Sequence, residues 1–166
     1  IEFVSLTFDK MFKSVFIRNK NILKEFLILE LDLDMKKEET TIAISSNELL
    51  SELNKEYKKT VDIVVYLNDN FISNVEVNRS AFNDTKERNY LYFAKLHSLV
   101  LDEGEKTPIT RQLYQLNINA SKTDKKIGSD IYDVRSQITN KPLLENFKIF
   151  EKNIEFYRDL YYNKNE

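Results

Sequence analysis

Residues 61–80 read VDIVVYLNDNFISNVEVNRS, two apolar runs on either side of Asn68-Asp69-Asn70. Residues 61–67 and 71–78 are rich in Val, Ile, Tyr and Phe, the composition of β-strands. Asn and Asp tolerate left-handed backbone, so the three residues between the runs form a short hairpin loop. A hairpin symmetric about Asp69 pairs residues whose numbers sum to 138, which sets Asp62 opposite Glu76. Side chains alternate along a strand, so Glu76 and Asn78 share one face. Opposed side chains lie about 5 Å apart between Cβ atoms, and like charges there repel. Spacing alone leaves two readings: two solvated carboxylates on a polar-faced hairpin, or two carboxylates holding a cation. Mg²⁺ suits the second, because it takes hard oxygen ligands and is held by one or two carboxylates plus water and phosphate.

Downstream of the hairpin, residues 79–84 form a polar connection and residues 85–102 a helix, with Phe93, Leu96, Leu99 and Val100 as its apolar stripe. Arg88, Tyr92 and Lys95 line up along another side of that helix. Either this side faces Glu76 and Asn78, or Tyr92 packs and the two cations are solvated. His97 reads as a packing or surface residue. Gly104 closes the helix region, and residues 111–120 alternate as a third or central strand. SKTDKKIGSD (121–130) reads as a turn-rich loop and IYDVRSQI (131–138) as a strand. After Pro142, apolar residues from Leu144 to Leu160 predict a last helix over 143–161.

Upstream, Thr7 can cap a helix with the stripe Phe8, Met11, Phe12, Val15 and Phe16. Asn19 can cap a second helix over 20–31, with Ile22, Leu23, Phe26, Leu27 and Leu29 inward. ETTIAIS forms a short strand. SSNELLSELNKE forms a short helix capped by Ser46, with Leu49, Leu50 and Leu53 on its apolar side. Lys58 and Lys59 lead into the hairpin.

The order of these pieces resembles the PD-(D/E)XK nuclease superfamily. An Asp, a hairpin and Glu-x-Asn (Glu76-Val77-Asn78) stand where the superfamily has Asp and Glu-x-Lys. More narrowly, the chain resembles the PD-(D/E)XK nuclease family transposases, related to recombination-promoting nucleases, whose usual form is Asp followed by Glu-x-Gln. TFDKMFKSVF resembles that family's opening helix. ERNYLYFAKLHSLVLDEGEKTPITRQLYQLNIN resembles its next helix, glycine turn and strand, so the resemblance covers roughly residues 5–120. It implies a restriction-endonuclease-like α/β core, a small mixed sheet flanked by helices, in one domain over 1–166. It implies a metal-dependent DNA endonuclease using Mg²⁺ or Mn²⁺, with Asp62, Glu76 and the Val77 carbonyl as metal ligands and DNA as substrate. Asp9 is then either a further acid facing the site or half of an exposed helical ion pair with Lys13. Asn78 brings no positive charge, so Lys13 or Lys95 would have to lend one, while Arg88 and Tyr92 would meet the DNA. The alternative implied by Asn78 is an inactive nuclease-fold module that binds nucleic acid, a protein partner or a second copy of the chain.

Composition narrows the classes. The 166 residues hold no Cys and one His, which excludes disulfides and multi-histidine zinc sites and fits a reducing cytoplasm. Hydrophobic residues make up 42%, too many for a disordered chain. No apolar run approaches the roughly 20 residues of a membrane span, and the N-terminus lacks a signal-peptide pattern. The net charge of −2 argues against coating DNA by charge alone and leaves room for a local basic patch. The chain opens at Ile1 without Met, as a trimmed piece of a longer protein does.

Overall fold

The computed structural model of the chain describes residues 9–45, 63–68, 70–78, 85–99, 111–120 and 127–163, without the side chains of Asp9, Lys10, Lys13, Lys95 and Leu99. Thr7, Phe8, the helix expected after Ser46, Lys58, Lys59, Asp62, the 79–84 connection, Val100 and Gly104 lie outside the described residues.

Six strands make one mixed sheet in the order β1-β2-β3-β4-β6-β5. They are β1 (Ile42–Ile44), β2 (Ile63–Leu67), β3 (Phe71–Asn78), β4 (Gln112–Asn119), β5 (Ser129–Tyr132) and β6 (Phe147–Asn153). Four helices flank it: α1 (Asp9–Arg18), α2 (Lys20–Glu30), α3 (Thr85–Leu99) and α4 (Ile154–Asn163). β1, β2 and β3 run as an antiparallel meander, β3 and β4 are parallel with α3 between them in sequence, and β6 is parallel to β4. This is the mixed sheet flanked by helices that the sequence resemblance implies.

The hairpin has the symmetric register. Ile63 pairs with Val75 and Leu67 with Phe71, each pair summing to 138. Asn68 adopts the left-handed conformation (φ 50°) expected of the loop. Its side-chain oxygen accepts the Thr41 backbone N–H at 2.9 Å, which ties β1 to the hairpin.

Both sheet faces are covered. Phe12 and Phe16 of α1 and Leu23 and Leu27 of α2 pack onto Val65, Phe71, Val75, Leu116 and Phe150. Tyr92, Phe93 and Leu96 of α3 pack onto Val64, Ile72 and Leu113 on the other face. Burying each such side chain contributes about 1.5–3 kcal/mol. His97 packs edge-on against Phe147, at 5.9 Å between ring centroids.

Met11, expected in the α1 stripe, is exposed, and four further expectations change. Ile22 and Leu29 are exposed, because α2 buries only the narrow stripe of Leu23, Lys24 and Leu27. Lys24 enters that stripe because its ammonium donates to the Thr40 carbonyl at 2.9 Å. Asn19 sits at the N-cap of α2, but its amide donates back to the Val15 carbonyl and does not cap with its side chain. The strand expected at 131–138 instead occupies Ser129–Tyr132, where Asp130 pairs with Glu151; all four of its residues are exposed, so burial imprints no alternation.

The largest change is at the C-terminus, where the helix expected over 143–161 is a strand followed by a helix. Phe147 and Ile149 turn toward α3 and Phe150 toward α1 and α2. Leu144, Phe147, Phe150 and Ile154 fall three or four residues apart, so the segment imitates the apolar stripe of a helix. The helix starts only after Asn153, whose side-chain oxygen accepts the Glu155 N–H at 3.1 Å.

Candidate functional site

The α3 face of the sheet changes character along the strands. Ile72, Leu113 and Phe147 form one row across β3, β4 and β6. Asn74, Gln115 and Ile149 form the next, and Glu76, Asn117 and Glu151 the one after, extended by Asp130 of β5. Asn78 and Asn119 continue it. The rows thus turn polar toward the carboxyl ends of the parallel strands, the edge where open α/β sheets bind ligands. α3 runs over this gradient with Phe93 and Leu96 on the apolar rows and Arg88 and Asn89 on the polar ones.

Most of these polar groups are buried, Glu76 at 5% exposure and Asn117 at 1%. Burial is tolerable because they bond to one another. Arg88 Nη2 donates to Asn78 Oδ1 at 3.1 Å, and Asn78 Nδ2 donates to Asn119 Oδ1 at 2.9 Å. Asn119 Nδ2 donates to Glu151 Oε2, and Asn117 Nδ2 donates to Glu151 Oε1 at 2.6 Å. Gln115 Nε2 donates to Asn117 Oδ1 at 2.8 Å and to the Asn89 carbonyl at 3.1 Å. Asn74 Nδ2 reaches Gln115 Oε1 at 3.1 Å and Glu76 Oε1 at 3.3 Å. An unbroken amide chain therefore runs from the Arg88 guanidinium through Glu151 to Glu76. Burial pushes the Glu151 carboxyl above its ordinary value, against the two amides and Lys86, which favour the charged form.

Residues 6–158 match the family model of the PD-(D/E)XK nuclease family transposases, a span that takes in all six strands and this polar layer. The chain belongs to that family. Membership supports a nuclease- or transposase-associated role. No curated protein and no solved structure matches the chain.

Within this nuclease-family fold the expected site residues fall into three groups. Glu76, Asn78 and Arg88 come together at the carboxyl end of β3. Tyr92 is 2% exposed among Val64, Ile72 and Phe93, so packing describes its surroundings. Asp62 lies outside the described residues, as do the side chains of Asp9, Lys13 and Lys95. Among the described residues no group of three or more His, Cys, Asp or Glu side chains could hold a metal. No described helix is long and apolar enough to cross a membrane.

Sequence reasoning missed Glu151, Asn117 and Asn119. The spacing of Gln115, Asn117 and Asn119 in β4 carried the signal, three amides on one face of a buried strand. Glu151 was hidden by the helical reading of the segment around it.

Proposed function

We propose that the chain is a metal-dependent DNA endonuclease of the transposase- or recombination-associated kind. The observation that carries this is the placement of Arg88 on Asn78, two residues from the buried Glu76. Asn78 occupies the position where the superfamily has Lys, and a guanidinium on its oxygen returns a positive charge to that position. The Arg88 guanidinium carries five N–H donors in a planar fork, a geometry that suits a phosphate oxygen.

Asp62, Glu76 and the Val77 carbonyl are the proposed metal ligands. Continuing the 138 register by one pair would set Asp62 across from Glu76. Carboxylates and a carbonyl are hard oxygen donors, which fit Mg²⁺ or Mn²⁺. A bound ion of this class polarises the phosphoryl oxygens and lowers the pKa of coordinated water. The chain's own residues then have distinct tasks. Arg88 stabilises charge developing on the phosphate, and Asn78 orients Arg88 and a water. Asn74 holds the Glu76 carboxylate in position. Asp9, Lys13 and Lys95 are proposed site residues on the resemblance alone, and Tyr92 is proposed to support this side of α3 by packing.

The test is cleavage of supercoiled and linear DNA by the purified chain with Mn²⁺ or Mg²⁺, beside Asp62→Ala and Glu76→Ala. Cleavage by the parent chain and none by either variant is expected. A parent chain that cuts no DNA under either ion leaves the alternative, an inactive nuclease-fold module. Asn78, with both ends of its amide engaged, is the observation that favours that alternative.

A further inference from the structure

A cavity of about 260 Å³ opens beside the polar rows, between β5, β6 and the first turn of α3. Glu151, Asn117, Tyr90, Tyr132 and Lys86 are among the residues that line it. The walls are built but incompletely covered: Tyr90 is 53% exposed and Tyr132 43%. The Tyr132 ring is held in place from two sides. Asp130, two residues back on β5, lies beside its hydroxyl, and the Lys86 ammonium lies 5.6 Å from the ring centroid. The Glu151 carboxyl is fixed by Asn117 and Asn119, which bond one to each of its oxygens.

We propose that this cavity receives one unstacked nucleobase of a bound DNA strand, a base carrying an exocyclic amino group. The inference rests on the DNA reading of the neighbouring site and adds a second contact to it. Three features select a base over a phosphate. Aromatic rings at the wall offer a stacking surface, which every base can use. The acids Glu151 and Asp133 repel a phosphate, and Glu151 accepts amino hydrogens as carboxylates do from cytosine. Lys86, beside Tyr132, supplies a cation for the phosphate attached to that base. The place is also right. Glu151 stands two strands from Glu76 in the same row, about 10 Å between backbones, so a base here belongs to a nucleotide beside the phosphate at Glu76.

The experiment uses the full chain with Ca²⁺ and short DNA duplexes carrying single 2-aminopurines, whose fluorescence rises on unstacking, and an end label that reports total binding. A severalfold rise at one position is expected. Tyr132→Ala should abolish the rise and weaken binding about tenfold, the worth of one stacked base. Thymine at that position should weaken parent binding about tenfold, and Glu151→Gln should narrow that preference. Binding with no rise at any position overturns the pocket proposal and leaves the DNA reading standing. A rise that survives in Tyr132→Ala overturns it too. A chain that binds no DNA overturns both.

Discussion

The two faces of β3 and β4 were built from the same backbone and carry opposite chemistry. Toward α1 and α2 the strands present Phe71, Val75, Leu116 and Ile118, a dry apolar layer. Toward α3 they present Asn74, Glu76, Gln115 and Asn117, nearly as buried and joined by hydrogen bonds. Burial is therefore a poor label for what a position does here. The apolar layer gains free energy from every side chain removed from water. The polar layer gains little net and requires every partner to be present, so its retention points to use.

Breaking each layer should separate activity from stability. The largest effect expected is on cleavage: Glu76→Gln keeps the shape and should reduce the rate on the order of 1,000-fold, measured by initial rates of DNA nicking. The thermal transition of that variant should stay close to the parent's. Leu27→Ala does the reverse, costing about 2–5 kcal/mol in a denaturant melt, since Leu27 is fully buried beneath the sheet. Arg88→Ala should slow cleavage on the order of 100-fold. Adding Asn78→Lys to that variant returns a cation to the same place and should recover part of the rate; no recovery would mean Arg88 acts elsewhere.

Glu151 sharpens the comparison through pH. Its carboxyl is raised from the ordinary value of 4.5 by burial, so just above that value the folded chain binds the proton more firmly than the unfolded chain. Its stabilising contribution is full below that ordinary value and is lost as pH rises through the higher folded value. Glu151→Gln should flatten this fall in a series of melts at increasing pH. The smallest effect belongs to the solvent side of the molecule. Lys36→Ala breaks an exposed pair with Glu39 and should change stability by less than about 0.5 kcal/mol.

The hairpin was legible because its signals are local. Asn68 sets the turn, and one turn fixes the register of every pair that follows. The placement of Arg88 was half legible: helical spacing put it on one side with Tyr92, but only the packed sheet shows Tyr92 buried and Arg88 on Asn78. Glu151 was illegible for a different reason. Its strand carries Phe147 and Phe150 on opposite faces three residues apart, and with Leu144 and Ile154 that spacing reads as one helical stripe. Ile22 and Leu29 misled in the opposite sense, as apolar residues on a helix flank that no other described layer covers.

The parallel strands also order the assembly of the molecule in time. β2 and β3 are joined by a tight turn, and such a hairpin forms within about 1–10 μs. Asn117 and Glu151 stand 34 residues apart in the chain and Asn74 and Gln115 stand 41 apart, so their pairings wait on closure of long loops. Glu76 is thus in its strand early, but the row that fixes its surroundings closes among the last contacts. A nascent or partly folded chain carries the acid without the row around it, and the proposed site is assembled only with the completed sheet.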